Sequence, residues 1–455
     1  MASEMMAVQY RYSGMEILYS KEKKKMNCNE ELLNFLDQAP TAFHTIAYVR
    51  NVLKENDYEE ITEGSTWKLK ENAKYFVVRN ESSVIAFRTV KKNFQGFMIG
   101  ASHSDSPAFK IKENPEIIAN GYVKLNVEGY GGMLMGPWLD RPLSVAGRVI
   151  VKEGDCFATK IVNVDRDLCI IPSLAIHMDR QSNSDHTWNG QTDMLPILGD
   201  ESCKGSFMKI VAKAAGVHEK DIIGHDLFLY VREKGTVLGA DKEYVAAPHL
   251  DDLQCGFGNL QGFLQASKSA SIPMLVIFDN EEVGSSTKQG ANSTFLEDTM
   301  HRIAASFQRE FASAAANSFM VSADNAHAIH PNHPEKADPV NRPHMNQGIV
   351  LKFNANQLYT TDGVSAAVFR SLCETCKVPL QVFTNRSDSR GGSTLGNISN
   401  THVSLNTVDI GLAQLAMHSC YETCGTKDTQ YLITAMKKFF SCSLQEEGQG
   451  TYRLK

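Results

Sequence analysis

The stretch Met274–Ser286, MLVIFDNEEVGSS, sets an apolar run directly before two adjacent glutamates, Glu281 and Glu282. A short, continuous apolar run bounded by Asp279 and Asn280 reads as a strand buried on both faces. Charged side chains are mostly exposed, so an acidic pair at a strand end is ordinarily a solvated feature. The rest of the chain decides whether this pair is different.

Working outward, other apolar runs end in the same kind of residue. GFMIGASHSDSP (Gly96–Pro107) delivers His103 and Asp105; YVAAPHLDDL (Tyr244–Leu253) delivers Asp251 and Asp252. NSFMVSADNAH (Asn317–His327) delivers Asp324, and VDIGLAQLAMHS (Val408–Ser419) delivers His418. Each has an ordinary explanation by itself: a core histidine, a helix N-cap, a turn aspartate. Together they place metal-competent side chains at the ends of separate strands, where open α/β sheets line their ligand crevice. A collected set of His, Asp and Glu there reads as a metal site.

The texture between these motifs divides the chain. Lys74–His103 reads as strand, turn, strand, strand, and from about Asp241 onward helix-length segments alternate with apolar strands. That is α/β texture with a mixed or parallel sheet. Between them lie GYVKLNVEGYGG, RPLSVAGRVIVKEG and HDLFLYVREKG, glycine-rich and alternating, which suit an antiparallel β domain. The expected organisation is an N-terminal extension (1–25), an α/β catalytic domain in two parts (26–105 and 241–440), an inserted β-rich domain (106–240) and a flexible polar tail (441–455). A chain of 455 residues favours two domains over one.

Bulk chemistry narrows the partners. A net charge of -6 provides no basic surface for nucleic acid or anionic membrane, so peptides or small molecules are the expected class. No apolar stretch of about 18 residues occurs, and Met1–Lys25 lacks a signal-type apolar core, which together predict a cytoplasmic protein. The ten cysteines read as free thiols. Cys373 and Cys376, with Cys420 and Cys424, have unequal spacing and lack zinc-knuckle turn residues, so a structural zinc site is not expected.

In this order, HSDSP, PHLDDL, FDNEEVGS, SADNAHAIHPN and LAMHS resemble the successive motifs of the M18 aminopeptidases, the aspartyl aminopeptidase family of dinuclear zinc exopeptidases. The resemblance runs from about Asn29 to Phe440 and implies a mixed-sheet zinc-exopeptidase domain interrupted by an inserted dimerization domain. It implies that His103 and His418 each bind one of two divalent ions, that Asp251 bridges them, and that Glu282 and Asp324 each complete one shell. Zinc is the expected metal, and the mixed imidazole and carboxylate ligands also admit cobalt or manganese. Glu281 is implied as the general base and Asp105 as the residue that orients His103. Asp252, adjacent to the bridging position, competes with Asp251 for that role.

The resemblance further implies a substrate pocket lined by His327, Lys352 and Tyr359, with Lys352 meeting an acidic first residue. His177 in the inserted domain is implied to enter a neighbouring subunit's site, within a tetrahedral homododecamer that acts on peptides. The glycine-rich segment Ser389–Gly396 lacks a P-loop lysine and is implied to be an active-site loop. The charge balance is compatible with all of this. Asp251, Glu282 and Asp324 with a bound hydroxide offset two divalent ions, and water held by such a pair has its pKa lowered to roughly 7.

Overall fold

The apolar run around Met274 is the strand Ile272–Phe278, buried at every residue. It pairs in parallel with Phe97–His103, which pairs in parallel with Phe319–Ala323, which pairs in parallel with Asn406–Leu415. Continuous burial follows from this position, because the centre of a parallel sheet is covered on both faces. The register is the functional point. Phe278 stands opposite His103, so the chain leaves the sheet towards Glu281 beside the histidine.

The structure, a computed structural model, describes residues 26–389 and 391–455; the N-terminal extension and Arg390 lie outside the described residues. Antiparallel strands Ser83–Arg88 and Lys74–Arg79 extend the large sheet on one side. Glu422–Gly425, Tyr244–Ala247 and Thr236–Leu238 extend it on the other, and Ile349–Lys352 pairs antiparallel with Asn406–Leu415.

Helix Leu250–Gln265 crosses this sheet with nearly all its residues buried. Glycine makes the approach possible: a Cβ at Gly258 would meet Leu432 at 2.5 Å, and one at Gly262 would meet Met436 at 2.6 Å. Both contacts lie on helix Asp428–Phe439, so Leu250–Gln265 is clamped and its first turn, with Asp251, has little freedom.

The inserted domain is a separate six-stranded antiparallel sheet in the order Cys156–Asn163, Leu143–Glu153, Ile222–Val231, Ala108–Ala119, Tyr122–Tyr130 and Ile197–Asp200. Its core is aliphatic with Phe109 edge-on to Trp138. Its last strand ends at Val231, and Thr236–Leu238 already belongs to the large sheet, so the junction falls a few residues before the expected 240.

The tail differs from expectation. Leu444–Gly448 and Thr451–Leu454 form an antiparallel hairpin, with Leu444 buried and Tyr452 and Leu454 packed on the core. The polar composition concealed a turn: Gly448, Gln449 and Gly450 all adopt positive φ, which reverses the chain and returns its apolar residues to the same face. All ten cysteines are free. Among the described residues, no helix is long and apolar enough to cross a membrane.

Candidate metal centre

His103 ends its strand fully buried, and its Nδ1 donates to the Asp105 carbonyl at 3.0 Å. That bond leaves Nε2 with a free lone pair facing the cleft, 3.7 Å from Asp251 Oδ1. His418 repeats the arrangement in mirror fashion. Its Nδ1 donates to the Gly132 carbonyl at 2.7 Å, and its Nε2 lies 3.6 Å from Asp251 Oδ2 and 3.3 Å from Glu282 Oε2. Asp251 therefore turns one oxygen to each histidine. Asp252 points elsewhere, accepting from the His103 backbone N–H at 3.1 Å.

Glu281 and Glu282 sit in a single 3-10 turn between Asn280 and Gly284, both left-handed. Asp105 clasps that turn, its two oxygens accepting from the N–H groups of Glu281 (3.1 Å) and Glu282 (3.2 Å). Asp105 Oδ1 also lies 3.4 Å from His103 Nδ1, so one carboxylate steadies the histidine and the glutamate pair together. Asp324 follows its strand directly and is buried.

Three overlapping groups of ligand atoms lie within 4.8 Å of one another: His103 with Asp251 and Asp324; His418 with Asp251 and Glu282; and His103 with Glu281 and Glu282. Asp251 belongs to the first two. Among the described residues no other such group occurs, and Cys373, Cys376, Cys420 and Cys424 enter none.

The donor set fits divalent cations. Asp251 Oδ1 and Glu282 Oε1 are buried without hydrogen-bond partners, a costly state that a cation relieves. Burial pushes Glu281 up to about 8, with Asp324, Asp105 and Asp251 adding to it and His103 opposing. Burial likewise raises Asp324 to about 6 and Glu282 well above the usual carboxylate range. Carboxylates packed this closely resist common ionisation, and positive charge among them removes the conflict.

The expected pocket residues gather beside Asp324. Lys352 is buried at the end of its strand, with Nζ 3.7 Å from Asp324 Oδ2 and 5.5 Å from the Tyr359 ring centroid. His327 is exposed, its ring 6.0 Å from that of Phe383, which also packs near Tyr359. His177 is not brought to this cleft. It lies exposed beside the exposed apolar side chains Leu174, Ile176 and Met178, and has no hydrogen bond or ion pair among the described residues. In the glycine-rich segment, Thr394 donates to Asp409 at 2.7 Å, within the cluster of buried polar groups under the sheet end.

Two residues of the centre escape sequence reasoning. Glu422 is 2% exposed, and its carboxylate accepts from the backbone N–H of Asp251 (2.9 Å) and of His418 (2.8 Å), tying the bridge to the distal histidine. Its only signal is an acid inside the otherwise core-like run CYETCG. Tyr130, from the inserted domain, donates to Asp105 at 2.7 Å.

Comparison with known proteins gives the same direction. Residues 35–440 match the family described as aminopeptidase I zinc metalloprotease (M18). The probable M18 family aminopeptidase 2 of Clostridium acetobutylicum is 46% identical over 432 residues, covering 92% of this chain and 100% of that protein. A cryo-EM structure of the Ape4 and Nbr1 complex matches with a TM-score of 0.88 at 34% identity, covering 91% of this chain and 85% of that one. The S. cerevisiae mApe1 dodecamer matches with a TM-score of 0.80 at 28% identity, covering 90% and 95%. Since the likeness spans both domains and every strand end that carries a metal-competent side chain, this chain belongs to the M18 family of zinc metalloproteases and is a metallo-aminopeptidase.

Proposed function

We propose that this metallo-aminopeptidase removes the N-terminal residue of peptides using two divalent ions, zinc in the first instance. One ion is held by His103, Asp251 and Asp324, the other by His418, Asp251 and Glu282. The observation that carries this reading is the Asp251 carboxylate, whose two oxygens face two histidines whose other ring nitrogens are already engaged. When bound, the ions supply electrophilic polarisation of the scissile carbonyl and a water of lowered pKa. Glu281 takes the proton of that water and returns it to the departing amine. Its position in one group with His103 and Glu282 sets the carboxyl beside the cleft where both transfers occur. Asp105 keeps Glu281 and His103 in place throughout.

Selectivity for an N-terminal Asp or Glu rests on Lys352, the buried cation of the pocket formed with Tyr359 and His327. A second reading, the same chemistry with neutral residues preferred, is favoured by the Lys352–Asp324 approach of 3.7 Å, which offsets the lysine's charge within the protein. Hydrolysis of chromogenic Asp, Glu, Leu and Ala substrates, with and without chelator, tests both. Activity must vanish with chelator, and Asp or Glu must lead the series. Lys352→Met is expected to retain metal yet lower kcat/KM for the acidic substrates by on the order of a hundredfold more than for Leu or Ala, the scale of stranding a charge in a dry pocket. Equal loss on all four substrates would assign Lys352 to general positioning.

Assembly completes the proposal. The apolar surface around His177 and the dodecameric relative support a tetrahedral homododecamer in which His177 reaches a neighbour's cleft. Neither nucleic acid nor membrane is a proposed partner, and the cytoplasm is the proposed compartment. Mixing His177→Ala chains with Glu281→Gln chains is expected to restore part of the activity, because some hybrid sites are intact. Subunit exchange without recovery would argue against a shared site.

A further inference from the structure

The inserted domain reaches the metal centre at its start, where Ser106 donates to the Asp251 carbonyl at 2.8 Å, and through the segment Tyr130 to Leu134. Tyr130 ends the strand Tyr122–Tyr130, and its ring stands edge-on to Phe228 of the same domain, centroids 5.5 Å apart. Its hydroxyl meets two partners from the catalytic domain: Asp105 Oδ2 at 2.7 Å and Asn280 Nδ2 at 2.8 Å. The direction of these bonds is determined. The Asp105 carboxylate can only accept, so the hydroxyl gives it its proton and takes one from the Asn280 amide nitrogen, whose oxygen partner accepts from Thr287 (2.8 Å) and Gln289 (2.7 Å). The tyrosine proton is then left for Asp105, an ordinary O–H···carboxylate bond of the stronger, charge-assisted kind.

Two residues further on, the Gly132 carbonyl accepts the Nδ1 proton of His418 at 2.7 Å, and the Leu134 N–H donates to the His418 carbonyl at 3.0 Å. Between Tyr130 and Gly132, Gly131, at φ +73°, runs against Glu282; a Cβ there would lie 3.1 Å from Glu282 Cβ. One short segment thus touches Asp105, Glu282 and His418 while contributing no member of the three ligand groups.

We infer that Tyr130 is a positioning residue of the catalytic centre, and that through it and Gly132 the inserted domain sets the geometry of the Glu281–Glu282 turn and of His418. This rests on the dinuclear reading proposed above. The chain of action runs from the Tyr130 hydroxyl to Asp105, and from Asp105 to the N–H groups of both glutamates. Without that donor, Asp105 Oδ2 keeps the Glu282 N–H but loses the hydroxyl that shares the oxygen with it.

The test is Tyr130→Phe in the full chain, which keeps the ring against Phe228 and removes only the hydroxyl. Outer-shell partners typically contribute 10–100-fold in metal affinity or activity, so kcat is expected to fall by about that factor with KM within about twofold. Zinc affinity, read by competition with a chromogenic chelator independently of turnover, is expected to fall by about tenfold. Added to Asp105→Asn, the substitution is expected to cost nothing more, because both act through one carboxylate. Wild-type kcat and zinc affinity in folded Tyr130→Phe, or losses that multiply with Asp105→Asn, would overturn the inference. If the phenylalanine variant fails to fold, fluorotyrosines at position 130 alter the hydroxyl's donor strength with little change of shape. Zinc affinity is then expected to follow the number of fluorines, and a flat series overturns the inference. Wild-type enzyme measured alongside separates the two levels: failure to bind two zinc ions per chain sinks the dinuclear reading itself, whereas normal wild-type loading with an unaffected variant sinks only the role of Tyr130.

Discussion

Glu281→Gln is expected to lower kcat by at least about a hundredfold, the lower end for loss of a general acid and base, while both metal ions stay bound. The amide keeps the size of the side chain, and the hydrogen bond from the residue 281 backbone to Asp105 is untouched by the exchange. What disappears is the capacity to accept and return a proton. Elemental analysis beside the rate measurement decides the matter. A variant that loses zinc would exchange the roles of Glu281 and Glu282. The proposed assignment takes its sense from Glu282, which lies 3.3 Å from His418 Nε2 and shares a group with Asp251, whereas Glu281 shares one with His103 and Glu282 alone.

Asp251→Ala is expected to have a larger effect on metal content than any other single exchange, because the two oxygens of Asp251 face His103 and His418 separately. Metal content should fall towards zero and activity with it, whereas Asp324→Ala or Glu282→Ala should each weaken mainly one site. Metal measured by elemental analysis after gel filtration provides the check. If Asp252→Ala proves the more damaging in zinc content, the bridge lies one residue later, contrary to the orientation of the two side chains.

Much of this centre was legible in the chain because its parts follow local rules. An apolar run predicts a central strand, and a strand end predicts where the next polar residue points; His103, Asp324 and the Glu281–Glu282 turn are all of this kind. The residues that escaped are those whose meaning lies in distant partners. Tyr130 sits 25 positions from Asp105 and 150 from Asn280, and nothing beside it in sequence announces either contact. Glu422 serves two backbone N–H groups, and a backbone acceptor has no sequence signature. The terminal hairpin was hidden by composition, since Leu444, Tyr452 and Leu454 are few among polar neighbours yet meet on one face. His177 belongs to a third category, for the role proposed for it depends on a second chain.

The dispersal of the proposed ligands also has a kinetic side. His103, Asp251, Glu282, Asp324 and His418 are spread over most of the chain, with the whole inserted sheet between the first two. Closing loops of that length costs entropy before any contact repays it, so no early or local structure can hold the group together. A nascent or partly unfolded chain is therefore catalytically silent, and the capture of metal stabilises only the completed form. For a peptidase this ordering is a safeguard, since the chain acquires the power to cut peptides only once its two domains are folded together.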